Sequence, residues 1–309
     1  VKIVQIHEFG APEVLKLEEA TVPVLEAGEV LVRVHAAGVN PVDAKTRRGQ
    51  GVAGRLGALP IAVGWDISGV VEAIASDVTR FAVGDEVYGM PRFPAQAAAY
   101  AQYVSAPAVD LARKPPSVSH VEAAALPLAA LTAWQAFDAA NLQAGQRVLV
   151  HAGAGGVGHL AVQLAKARGA HVIATAGESN LDFVRGLGAM EVVDYRAQPF
   201  EAVVQDVDVA LNTVGPEVLE RTWGVVKPGG IVVSIVGMQS PQIGEARGVR
   251  GQAVLVHPSG AQLEAIGALA EAGDLRVTVS HTLPLERASE AHTLIETGRT
   301  RGKIVLETV

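Results

Sequence analysis

The 309-residue sequence contains no cysteine, which excludes disulfides, thiol nucleophiles and the commonest zinc ligand together. It also lacks a basic excess. With 25 Lys and Arg against 32 Asp and Glu, the formal charge is -7, and no positive stripe is left for a phosphate backbone or an anionic membrane surface. No run of about 20 apolar residues is present to span a bilayer; the longest candidate, 123–137, is short and holds Pro127. No charged and apolar signal segment opens the chain, which starts at Val1 rather than Met, as a processed or trimmed terminus would. These absences leave a cytoplasmic protein as the expectation, with a small-molecule partner, no nucleic acid and no membrane.

What is present is a composition of 33 glycines, 49% hydrophobic and 18% charged residues, that of a glycine-rich globular α/β protein long enough for two domains. The first third reads as short strands: VLVRVHAAGVN, GVVEAIASDVTRFAVGDEVYGM and AQYVSAPAVDLARKP alternate apolar and polar residues and break at Gly, Pro and Asp. That texture predicts an antiparallel, barrel-like module. It changes around Pro115 and Pro116. From Ser119 onward helical patterns alternate with the apolar runs RVLVHA, HVIATA, EVVDY, VDVALNTV, IVVSIV and QAVLVH. Strands buried on both faces and joined by helices predict a parallel, doubly wound sheet. After His257, GAQLEAIGALAEAG predicts a helix ending at Gly273, and the chain closes on a strand that pattern alone assigns to neither domain.

One stretch carries chemistry. In RVLVHAGAGGVGHLAVQLAKARGAHVIATA, Gly153, Gly155 and Gly158 stand at G-x-G-x-x-G spacing, after a predicted strand and before a helix predicted over 157–168. The first glycine permits a tight turn, the second lets a pyrophosphate approach the backbone, and the third lets helix pack on strand. Free N–H groups at the helix start then favour an anion. The loop Gly153, Ala154, Gly155, Gly156, Val157 and Gly158 is therefore a candidate dinucleotide site. At the end of the second strand, where an acid would bind the ribose of NAD, stand Thr175, Ala176 and Gly177, with Glu178 just past the expected position. The vacancy favours NADP, with Ser179, Asn180 and Tyr195 as candidate partners of a 2′-phosphate, although no Arg or Lys follows immediately. An S-adenosylmethionine site usually wants an acid at that same place. A short-chain dehydrogenase needs Tyr followed four residues later by Lys, and none of the four tyrosines has it.

The stretches AAGVNPVDAKTRRG, GWDISGVVEAIASDVTRFAVGDEVYGM, AAALPLAALTAWQAF, HAGAGGVGHLAVQLAKARGA, LNTVGPEVLERTWGVVKPGG and TRGKIVL occur in that order. In these the chain resembles the medium-chain dehydrogenase/reductase superfamily, in its zinc-independent quinone oxidoreductase (zeta-crystallin-like) branch. The resemblance implies a Rossmann NADP-binding domain over 119–257 inserted into a GroES-like, barrel-like substrate domain formed by 1–118 and 258–309. It thereby assigns the closing strand to the first domain. In the zinc-dependent branches, ligands stand at the positions of Asn40, Trp65 and a residue near Leu128, and none of the three is a ligand here. The nine histidines are scattered, with no pair at helical ligand spacing, so no metal site is expected.

The resemblance further implies hydride transfer from NADPH to a quinone or an α,β-unsaturated carbonyl, the protein supplying position in a water-poor site. It places Asn40 and Pro41 at the nicotinamide end, Thr132 near the phosphates or ribose, Thr213, Val214 and Val236 along the cofactor, and Lys303 reaching it from the C-terminal segment. Asn40, Asp43 and Lys45 are the catalytic candidates. Asp43 would orient Asn40 or bind a ribose hydroxyl. Lys45 stands where several quinone reductases carry Tyr, so it would either polarise a carbonyl or lie exposed on the first helix. Trp65 would offer an aromatic surface to the substrate, or simply pack. The proton donor stays open. A dinucleotide-binding protein with little turnover is the alternative reading, and a homodimer through exposed sheet edges is expected.

Overall fold

A computed structural model describes all residues, Val1–Val309. The chain packs into two units, Val1–Leu131 with His257–Val309, and Thr132–Val256.

In the first unit the chain runs through strands β1 (Lys2–Ile6), β2 (Lys16–Glu19) and β3 (Glu29–Val39), then helix α1 (Pro41–Arg47). Strands β4 (Ile61–Ala62), β5 (Asp66–Ile74), β6 (Glu86–Gly89), β7 (Tyr103–Pro107) and β8 (Leu111–Arg113) follow, then helix α2 (His120–Ala124). Helix α3 (Pro127–Ala140) holds the boundary after Leu131. The second unit continues with β9 (Arg147–Val150), α4 (Gly158–Ala167), β10 (His171–Ala176), α5 (Leu181–Gly186), β11 (Glu191–Asp194) and β12 (Val207–Asn212). It ends with α6 (Pro216–Thr222), β13 (Val226–Ser234), α7 (Pro241–Glu245) and β14 (Arg250–Ala253). Helix α8 (Gly260–Glu271), β15 (Val279–Pro284), α9 (Ala288–Glu296) and β16 (Lys303–Glu307) complete the first unit.

The second unit is a six-stranded parallel sheet in the order β11-β10-β9-β12-β13-β14. Its inner strands carry buried apolar runs because helices α4 to α6 cover them, as in β10, where every residue after His171 is buried. Leu149, Ile173, Ala210 and Val232 meet Phe200, Leu219 and Trp223 in one core.

The first unit has a small antiparallel sheet, β2-β1-β4, and a larger one in the order β15-β16-β3-β5-β6-β8, with β7 also on β3. The large sheet is antiparallel as patterned except at one edge, where β15 lies parallel to β16 because the crossover helix α9 joins them. The closing strand β16 pairs with β3, Ile304 opposite Val39, so the C-terminal segment is a structural part of this unit.

The first segment of this unit runs past 118 to Leu131. Ala124 and Ala125 of the α2 end pack with Ala36 and Val305, and a Cβ on Gly38 would lie 2.3 Å from the Ala124 carbonyl. Residues 119–131, grouped by sequence with the nucleotide domain, thus pack with the β-rich unit here. A capping box starts α2: Ser119 Oγ accepts Glu122 N–H at 3.2 Å and Glu122 Oε2 accepts Ser119 N–H at 2.9 Å.

Candidate active site and dinucleotide loop

The second unit holds the glycine loop where β9 hands over to α4. A Cβ on Gly158 would sit 2.0 Å from the Ala152 carbonyl, and one on Gly153 2.9 Å from Ala174 Cβ, so both positions demand glycine for close approach. The loop is held from behind. Thr175 Oγ1 accepts Ala152 N–H at 3.1 Å and meets His151 Nδ1 at 3.3 Å. Thr213 Oγ1 donates to the His151 carbonyl at 2.8 Å, and His159 Nδ1 reaches the Gly155 carbonyl at 2.9 Å. The Thr175 and Thr213 hydroxyls therefore both act on the protein's own backbone.

Gly155 and Gly156 are partly exposed, and the N–H groups of Gly156 and Val157 meet no acceptor in the chain. Unspent donors at the start of a ten-residue helix, behind glycines with no room for a Cβ, fit the diphosphate of a dinucleotide. Ala154 is buried, Val214 is exposed with its N–H on Asn212 Oδ1, and Val236 is half-buried. Thr132 is buried within α3.

At the far end of β10, Ala176 pairs with Asp194 of β11, and this register brings the following Tyr195 and Arg196 beside Gly177. A Cβ on Gly177 would lie 3.6 Å from Arg196 Nε and 3.9 Å from Tyr195 Cε1. The guanidinium stands over the Tyr195 ring, 5.6 Å from its centroid, and forms no ion pair. Ser179 and Asn180 share the short 3-10 turn that follows Gly177. Arg196 was missed by sequence reasoning because it is twenty residues beyond Ala176 and only the parallel register puts it there; its position directly after Tyr195 was the available signal.

The first unit holds a second cluster, buried at the start of α1. Asn40 precedes the helix, and Pro41 opens it with the φ that a first turn needs. Asp43 turns back to accept Asn40 N–H at 2.8 Å. Across the sheet, β16 runs antiparallel to β3, which brings Lys303 to Asn40: the ammonium donates to Asn40 Oδ1. Asn40 Nδ2 donates to Asp66 Oδ2 at 2.9 Å, and the other Asp66 oxygen accepts Leu128 N–H at 2.8 Å. Lys303 Nζ is 3.7 Å from Asp66. All are buried.

Burial pushes Asp43 up to about 7, against the opposing bonds from Asn40 and Tyr100, and Asp66 up to about 6, against the pull of Lys303. Lys303 is lowered by burial, opposed by Asp66 and Asp43. Asp66, in the GWD stretch, was not among the sequence candidates, yet it is hydrogen-bonded into this cluster.

Two candidates lie apart from this cluster. Lys45 is on the outer face of α1, exposed and in no ion pair, because Asp43, Ala44, Thr46 and Arg47 take the inward positions. Trp65 is 1% exposed, its Nε1 donates to the Ala95 carbonyl at 2.7 Å, and Phe93 meets it edge-on at 5.2 Å. It packs, and offers no surface to a substrate.

Two protein families match: residues 26–116 fit the alcohol dehydrogenase GroES-like domain and 187–306 the zinc-binding dehydrogenase family. The donor set does not fit zinc. Asn40, Trp65 and Leu128 occupy the positions concerned, and no three His, Asp or Glu side chains stand together to hold a metal. The chain is 35% identical to a 2-methylene-furan-3-one reductase of Solanum lycopersicum, over 98% of this chain and 78% of the relative. It is also 35% identical to a chloroplastic NADPH-dependent alkenal/one oxidoreductase of Arabidopsis thaliana, over 97% and 77%. The solved quinone oxidoreductase of Coxiella burnetii superposes with a TM-score of 0.95 at 38% identity, covering 100% of this chain and 99% of that one. With its parallel nucleotide sheet, GroES-like unit and metal-free donor set, the chain belongs to the medium-chain dehydrogenase/reductase superfamily, in its zinc-independent quinone oxidoreductase branch.

Proposed function

We propose that this protein is an NADPH-dependent reductase that passes a hydride to a quinone or an α,β-unsaturated carbonyl. The observation that carries the reading is the glycine loop, with no room for a Cβ at Gly153 and Gly158 and unspent N–H groups at Gly156 and Val157. Bound there, NADPH supplies the hydride. Gly155, Ala154 and the α4 start hold the diphosphate, and Thr132, Val214 and Val236 line the cofactor. Thr175, Ala176 and Thr213 shape the loop. Arg196, Tyr195, Ser179 and Asn180 hold the 2′-phosphate, Arg196 as the one cation among them. Asn40, Pro41 and Lys303 fix the nicotinamide end, and the Lys303 charge favours negative charge developing on the reduced acceptor. Relatives whose names describe alkenal/one and 2-methylene-furan-3-one reduction support the enone, and the Coxiella protein supports the quinone.

A homodimer through β14 belongs to the same reading: this strand ends the parallel sheet with all four residues exposed, and an unpaired edge is a template for a second copy. Acceptor-dependent loss of NADPH absorbance, followed with a quinone and with a short enone, tests the activity. Turnover with either acceptor is expected. Tight NADPH binding without oxidation by any acceptor would mean a binding protein instead.

A further inference from the structure

Behind Asn40 lies a hydrogen-bonded chain in which only Asp43 has so far been given a role. Tyr100 Oη donates to Asp43 Oδ2 at 2.8 Å, the same oxygen that accepts Asn40 N–H. His292 Nε2 lies 3.2 Å from Tyr100 Oη, with the two rings edge-on at 5.7 Å. Asp43, Tyr100 and His292 are completely buried and come from α1, the segment before β7, and α9. An apolar core would pack as well at less desolvation cost, so stability alone does not account for the chain.

The protons have one consistent direction. Burial pushes His292 down to about 3, so the ring is neutral near pH 7 and carries a single N–H. Tyr100 is held well above its ordinary value by burial and Asp43, so it keeps its proton and donates a hydrogen bond to Asp43. His292 Nε2–H then donates to Tyr100 Oη. Two donors converge on one oxygen of Asp43, while Oδ1 has no partner.

The charges around this chain are sparse. Asp66 on β5 and Lys303 on β16 lie on the Asn40 side, and Arg47 of α1 is paired with Glu296 of α9. Without the Tyr100 hydroxyl, Asp43 would be free to take up a proton or to turn toward the Lys303 ammonium, and either change releases Asn40.

We propose that Tyr100 and His292 are positioning residues, which through Asp43 lock the backbone of Asn40 and so set where Asn40 Oδ1 and the Lys303 ammonium stand for hydride transfer. The inference rests on the reading of Asn40 and Lys303 given above.

Tyr100→Phe keeps the ring, which is packed against Gly64, so the fold is retained. It lowers kcat about tenfold, the loss of a hydrogen bond to a charged group, while the NADPH dissociation constant stays within about twofold because the glycine loop is untouched. His292→Leu lowers kcat in the same way, and His292→Gln, which keeps a donor, restores it. A readout without cofactor separates positioning from packing. The Tyr100 bond favours the ionised Asp43, so the Tm deficit of Tyr100→Phe is small near about pH 6 and grows toward about pH 8. A packing defect would give the same deficit at both.

Wild-type kcat in Tyr100→Phe and His292→Leu, or a pH-independent deficit, overturns the proposal. Asn40→Ala and Lys303→Met distinguish the two levels. If they keep full turnover, the reading of the site falls and the positioning role with it. If they lose turnover while Tyr100→Phe does not, only the positioning role falls.

Discussion

Lys303 is the residue on which the chemistry proposed for the β-rich unit turns, a buried ammonium held between Asn40 and Asp66. Its partners come from chain segments more than two hundred residues away, so Lys303 and Asn40 could be named from motifs, whereas their juxtaposition needed the β3–β16 pairing. Tyr100 and His292 carry no motif, because a residue that acts by bonding to another residue leaves no spacing to read. Lys45 shows the converse: it lies in the same motif as Asn40 and Asp43, and the helical period turns it outward. At the cofactor end, Arg196→Ala should raise the KM for NADPH about tenfold through loss of a charge-assisted bond, with the KM for NADH unchanged. Steady-state kinetics with both cofactors checks this, and an equal rise for both would remove Arg196 from the 2′-phosphate.

Among the elements, the strand–turn–helix of β9 and α4 was the most legible. Gly155 and Gly158 crowd the Ala152 carbonyl a few residues back and Gly153 crowds Ala174 on the next strand, and apolar runs mark strands covered by helices. The β-rich unit was less so. Its parallel β15–β16 edge and its hold on α2 arise from packing between segments that no local period encodes. For the loop, the steric argument gives a direct test. Gly158→Ala would put a Cβ 2.0 Å from the Ala152 carbonyl, and the loop must shift. A loss of about 1–3 kcal/mol in urea unfolding is expected, together with weakened NADPH binding by fluorescence titration. Binding at wild-type strength would show that the close approach is not needed.

For the molecule as a whole, buried titratable groups set an acid limit. His35, His120, His151 and His292 all have pKa values lowered mainly by burial, His151 and His292 to about 3. They remain neutral in the fold while the unfolded chain takes up protons, so their contribution is present above about pH 6.5 and lost as pH falls. Asp43 and Asp66 work in the opposite sense: raised to about 7 and about 6, they add stability at low pH that is lost as pH rises through those values. Asp110, also raised by burial, joins them, so these carboxyls largely offset the histidines between about pH 7 and about pH 5; below that, Glu86 and Glu201, held down by their hydrogen bonds from Lys114 and Arg221, lose stability together with His151 and His292, so Tm should fall between about pH 5 and about pH 4. Calorimetry at the latter two pH values checks it, and a higher Tm at the lower pH would contradict it. The two-unit division and the nucleotide sheet were legible in the sequence; the sign of this pH dependence was not, since it depends on which histidines are buried.

The central claim is direct hydride transfer, and isotope labelling tests it most closely. NADPH deuterated at the transferring C4 position would be turned over with a short enone, and the product examined by mass spectrometry and NMR. One deuterium on the carbon β to the carbonyl is the predicted result. Consumption of NADPH with no label in the product, or no consumption with any enone or quinone, would contradict the account.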